Sequence, residues 1–134
     1  VLALLQAPGD AAEHAAVLDE ALARSLKDTL GAEGFTELVT ALDENVTQRL
    51  ADYRRARTAA DVARVQQLTH AMKGVGANLG AARFAALCAQ VGQGAARGDL
   101  TDHDGALHES FAQALARLRG IAGEQRRDAR RARA

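Results

Sequence analysis

Apolar residues recur along this chain every three or four positions, the spacing of an amphipathic helix, and nowhere alternate as a strand would. One run is Val65, Leu68, Met72, Val75 and Leu79, spaced 3, 4, 3 and 4. A second is Phe35, Leu38, Val39, Leu42, Val46, Leu50 and Tyr53. Phe84, Leu87, Cys88, Val91 and Ala95 make a third, and Leu107, Phe111, Leu115, Leu118 and Ile121 a fourth. Ahead of these, Val17, Leu18, Ala21, Leu22, Ser25, Leu26 and Thr29 form the inward face expected of a helix from Glu13 to Leu30.

The punctuation between the runs fits helix ends. Asp10 with Glu13 suits a helix start and Gly31 a helix stop. The second helix is expected to end near Arg57, and the third to open on a capping box of Thr58 and Asp61 and end at Gly80. The fourth helix spans 82–97 and stops at Gly98-Asp99; Thr101 with Asp104 gives a second capping box that opens the last. Links this short force successive helices to lie antiparallel. The expected fold is all-α: an up-down-up-down antiparallel four-helix bundle with an additional N-terminal helical segment. Residues 1–12, apolar from Val1 to Leu5 and turning at Pro8-Gly9, read as a linker or a short docked helix. Residues 13–125 form the bundle, and 126–134 an arginine-rich tail expected to be disordered.

Composition agrees with one helical domain. The chain has 134 residues, one proline, no tryptophan, three phenylalanines and one tyrosine. Five of the 17 basic residues and one of the 17 acidic residues lie between Arg126 and Ala134, which leaves the rest four charges negative. That arginine run reads as a solvated tail, with no nucleic-acid partner expected. The single cysteine, Cys88, lies on an apolar stripe and reads as a small core residue. No apolar run approaches the roughly 18 residues of a membrane helix, and no signal peptide is visible. The chain begins with Val1 and not methionine, so it is read as a piece of a longer protein. His103 and His108 are five apart, not the i, i+4 pair that shares a helix face, and no metal is expected there.

The chemistry concentrates on Leu68 to Gly80, LTHAMKGVGANLG. At about 100° per residue, His70 falls about 180° from the centre of its helix's apolar stripe, so the imidazole points to water. Gly74 lies one turn on and Ala77 after it, with Ala71 alongside, so the face around the ring is bare. Lys73, at i+3, is a helix neighbour of the histidine. Gly74 and Gly76 each cost about 1 kcal/mol against alanine, which suggests a need for close approach. Neutral imidazole keeps one nitrogen free as a nucleophile. No P-loop, glycine-rich nucleotide motif or carboxylate cluster for Mg²⁺ is present.

The run His70-x-x-Lys73-Gly74 followed by Leu79-Gly80-Ala81 resembles the signature of histidine-containing phosphotransfer (HPt) domains. The resemblance extends over roughly Val17 to Leu118, including the LGxxxF pattern of Leu30 to Phe35 and the Leu87-Cys88 pair. It implies that His70 accepts a phosphoryl group from a receiver-domain aspartate and passes it to a response regulator. Lys73 would offset the phosphoryl charge, while Gly74, Ala77 and Ala71 would admit the partner's loops. No cofactor is expected in this domain, because in the family the receiver partner carries the Mg²⁺. A monomeric, cytoplasmic module of a bacterial hybrid sensor histidine kinase is the expected setting, with receiver domains as partners and no membrane contact. One departure stands out: many relatives hold Glu or Gln near the position of Gly92, where it bonds the histidine's other nitrogen. Gln93 is the candidate substitute, turned away by about 100°. Two other readings remain open at this stage. One is the dimerisation and phosphoacceptor helices of a histidine kinase, although Ala71 stands where such kinases carry an acid. The other is a helical interaction module in which His70 is incidental.

Overall fold

The computed structural model describes residues 14–133, and their side chains as far as Glu124. Four helices follow one another: α1 (Glu20–Thr58), α2 (Val62–Asn78), α3 (Ala82–Ala96) and α4 (Asp104–Arg133). α1 packs on α2 and α4, and α3 packs on α2 and α4, which closes the ring of an antiparallel bundle. The apolar stripes meet inside it. Phe35, Leu50, Tyr53, Leu68, Met72, Phe84, Leu107 and Leu118 are all buried. Phe84 and Phe111 meet with ring centroids 5.3 Å apart and planes tilted by 50°, an arrangement that adds to simple area burial.

α1 is two helical segments, 20–30 and 32–58, joined at Gly31 (φ +78°, ψ 166°). Only glycine visits that region at little cost, so the break anticipated at this residue is built into the chain. The second segment belongs to the bundle. The first is tied to α4, where the Lys27 ammonium donates to the Ile121 carbonyl at 2.6 Å and Arg24 pairs with Glu124.

The start of this helix corrects the expectation of Glu13. It opens at Glu20, with the Asp19 carboxylate accepting from the Leu22 N–H at 3.1 Å. Residues 15–19 are held otherwise, by the turn between α2 and α3. The Asp19 N–H donates to the Gly80 carbonyl (2.7 Å), the Arg83 N–H to Ala16 O (2.9 Å) and Arg83 Nε to Ala15 O (3.0 Å). Backbone groups engaged this way cannot also run a helix. Val17 and Leu18 are buried as expected, but Ala21, Leu22, Ser25 and Thr29 are exposed, and Ala23 is buried in their place. The helix start expected at Asp10–Glu13 and the segment 1–12 lie outside the described residues.

Three further expectations are corrected. Thr58 is the last residue of α1 and donates back to Arg54 O; Asp61 alone caps α2, accepting from the Arg64 N–H. Thr101 does not open the last helix: the Asp99 carboxylate binds its N–H and hydroxyl in a turn. The first bond of α4 runs from Leu107 N–H to His103 O at 3.0 Å, while Asp102 accepts from Asp104 N–H. Finally, the backbone of α4 stays helical to Arg133, where a disordered tail from 126 was expected.

Among the described residues no helix is long and apolar enough to cross a membrane.

Candidate functional site

The stripe Val65, Leu68, Met72, Val75 and Leu79 turns α2 inward: four of these are buried and Val75 is partly so. The opposite face therefore carries His70, Gly74 and Ala77 outward, at i, i+4 and i+7, and all three are exposed. Lys73 is exposed beside them and Ala71 is half-buried. Among the described residues, neither the imidazole of His70 nor the ammonium of Lys73 takes part in a hydrogen bond or an ion pair. Both are available to a partner.

Beside the histidine runs a groove of about 350 Å³ between α2 and α3. Gln66, Thr69, His70 and Lys73 form its α2 wall; Cys88, Ala89, Gly92, Gln93 and Ala96 form the α3 wall. Gln93 thus does share the groove with His70, from the opposite wall, and is exposed. The Cys88 thiol lies behind this surface, and burial pushes its pKa up to about 12, so it is a protonated, inert core group at neutral pH.

The glycines around the site have different reasons to be there. A Cβ on Gly76 would stand 2.9 Å from the Phe84 ring, so this glycine lets α3 pack against α2. A Cβ on Gly92 would stand 2.8 Å from the Thr69 hydroxyl, which is itself buried and donates to Val65 O (2.8 Å) and Gln66 O (3.1 Å). A side chain at position 92 would therefore require the Thr69 hydroxyl to move. Gly74 differs: among the described residues no atom of a neighbouring element lies within 4 Å of its Cβ position, so the described packing does not require a glycine there. Gly80 (φ +86°) ends α2 in a Schellman arrangement, with Ala81 N–H donating to Gly76 O and Gly80 N–H to Ala77 O.

Two groove residues, Thr69 and Gln66, escape a reading centred on the histidine's outward neighbours. Gln66 was within reach of it, because i−4 is a helix neighbour of His70 just as i+3 is. Thr69 was not, because its role depends on α3. The other histidines of the chain lie apart from the groove. His108 Nε2 approaches Asp104 Oδ1 at 3.3 Å, and among the described residues no group of three His, Cys, Asp or Glu side chains is placed to hold a metal.

Comparison with known proteins gives the same picture. Residues 9–121 match the Hpt domain family. Among solved structures the chain resembles histidine-containing phosphotransfer protein B (HptB) from Pseudomonas aeruginosa PAO1, at 26% sequence identity and a TM-score of 0.65. The match covers 83% of this chain and 95% of that one. No match was found among curated proteins. The chain belongs to the histidine-containing phosphotransfer family, the phosphocarrier domains of two-component phosphorelays.

Proposed function

We propose that His70 is the phosphoacceptor of this domain. The observation that carries the reading is an exposed imidazole that has no hydrogen bond or ion pair among the described residues, on a helix face stripped to glycine and alanine at positions 74 and 77. The outer ring nitrogen, Nε2, attacks the phosphorus of an aspartyl phosphate on a receiver domain. The N–P bond forms as the P–O bond to the aspartate breaks, and the aspartate leaves as a free carboxylate. The proton on Nδ1 stays in place. The ring then carries the positive charge, which keeps the phosphoryl group transferable. The second step is the same exchange in reverse, onto the aspartate of another receiver. No nucleotide enters either step. In this reading the Mg²⁺ comes with the receiver partner, and the domain works as a monomer.

Gly74, Ala77 and Ala71 give the partner's loops access to the ring. Lys73, one turn from His70, meets the phosphoryl group once it has arrived. In so exposed a setting the contact contributes about 1 kcal/mol, or roughly a fivefold shift in the transfer equilibrium. Lys73→Ala is thus expected to move the phospho-domain to phospho-receiver ratio toward the receiver by about fivefold, and Lys73→Arg to recover part of it. A wild-type ratio in the alanine variant would assign Lys73 to docking instead. The larger setting we propose is a cytoplasmic module of a bacterial hybrid sensor histidine kinase, a reading supported by a sequence that carries no P-loop or glycine-rich nucleotide motif.

Incubation with a phosphorylated receiver tests the reading directly. Acid-labile, base-stable label on the domain supports it. Label acquired from ATP without a receiver would instead make this a kinase fragment.

A further inference from the structure

Resting on that reading, we infer that the groove beside His70 also takes small acyl phosphates, and that they acylate the ε-amine of Lys73. An aspartyl phosphate is a mixed anhydride of a carboxylic acid and phosphoric acid, so it carries two electrophilic centres. An imidazole that attacks the phosphorus takes the phosphoryl group. An amine that attacks the carbonyl carbon takes the acyl group instead. The groove holds both nucleophiles, His70 and Lys73, on one wall and at helix-neighbour spacing.

The chain has only two lysines, and they differ in what they already hold. Lys27 is half-buried, and its ammonium donates to the Ile121 carbonyl at 2.6 Å. Lys73 is exposed and has no hydrogen bond or ion pair among the described residues. The walls around it suit a small phosphate. No carboxylate lines this groove, so a dianion meets no like charge there. By contrast, Glu44 and Asp52 line the cleft between α1 and α2, and Asp99 lines the one beside the turn into α4. Gln66 and Gln93 stand on opposite walls, and neither side-chain amide has a hydrogen-bond partner among the described residues. Each therefore offers N–H donors to phosphate oxygens.

In the step itself the Lys73 nitrogen, as free base, bonds to the carbonyl carbon. The C–O bond to the phosphate breaks, inorganic phosphate leaves with the electron pair, and the extra proton on nitrogen passes to water. The product is a neutral amide, without the ammonium that meets the phosphoryl group on His70. Acylation thus acts as Lys73→Ala does, moving the transfer equilibrium toward the receiver by about fivefold.

The experiment compares two acetyl donors on the unphosphorylated chain, with acetyl on Lys73 and on Lys27 quantified by peptide mass spectrometry. Acetyl phosphate carries the group the groove is to recognise; N-hydroxysuccinimidyl acetate carries none and reads exposure alone. The Lys73-to-Lys27 ratio is expected to be about fivefold higher with acetyl phosphate, the effect of one net hydrogen bond to the phosphate. Replacing both amides, Gln66→Ala with Gln93→Ala, should bring the acetyl phosphate ratio down to the succinimidyl one. Both sites are exposed and alanine is the better helix former, so the fold is retained. Equal ratios in the wild-type chain, or an excess that survives the double substitution, would overturn the inference. No receiver enters this measurement, so failure of the carrier reading shows separately, as absence of label from a phosphorylated receiver.

Discussion

At the scale of single residues, the site is a contrast between two glycines two positions apart. Gly76 serves the protein's own interior, whereas Gly74 meets no packing neighbour among the described residues. Their substitutions should therefore part ways. Gly76→Ala drives a methyl into the Phe84 ring and is expected to destabilise the domain by about 1–3 kcal/mol. Gly74→Gln should stabilise it by about 0.5 kcal/mol, by improving the helix, while slowing phosphotransfer at least tenfold. Thermal melts and transfer kinetics on both variants check this. A Gly74→Gln domain that transfers at the wild-type rate would refute the partner-access role. The outward direction of His70 was legible in the sequence because helical phase alone determines it. The division of labour between the glycines was not, since both spoil a helix equally and only the position of Phe84 distinguishes them. Thr69 behind Gly92 was hidden for the same reason: the contact joins residues 23 positions apart on different helices.

At the scale of elements, the bundle helices could be read from their stripes, and the failures lie at their ends. Val17 and Leu18 continue an apolar pattern into 21 and 22, so periodicity alone extends the first helix too far back. What stops it is a set of backbone bonds to Gly80 and Arg83, more than 60 residues away. The capping boxes misread at Thr58 and Thr101 are a milder case, because Ser, Thr and Asp serve turns as readily as caps. The link between α1 and α2 carries its own prediction. Ala60 adopts φ +56°, with its N–H donating to Arg57 O and the next N–H to Ala56 O. Glycine is the usual occupant of such a position, and the side chain of Ala60 is exposed. Ala60→Gly should stabilise the domain by about 0.5–1 kcal/mol, the relief of left-handed strain less the entropy of a freer unfolded chain. A loss of stability in chemical denaturation would show that this backbone is not strained.

At the scale of the whole molecule, the described core runs from Val17 to Ile121, ahead of the arginine-rich end. Among the described side chains Ile121 is the last buried apolar one, and the Arg24–Glu124 pair is exposed and of small value. A chain ending at Gln125 is expected to keep its melting temperature within a few degrees and its low-salt transfer rate within about twofold. A rate loss that high salt abolishes would instead show the arginines steering the partner electrostatically. What then remains is a helical frame that presents one imidazole. The central claim is that this imidazole alone carries the phosphoryl group, and the direct measurement is label uptake from a phosphorylated receiver by the wild-type domain and by His70→Gln. The substitution lies on an exposed helix face and should leave folding unchanged. Acid-labile label is expected on the wild type and none on His70→Gln; label persisting on the folded variant, at His14, His103 or His108, would contradict that role for His70.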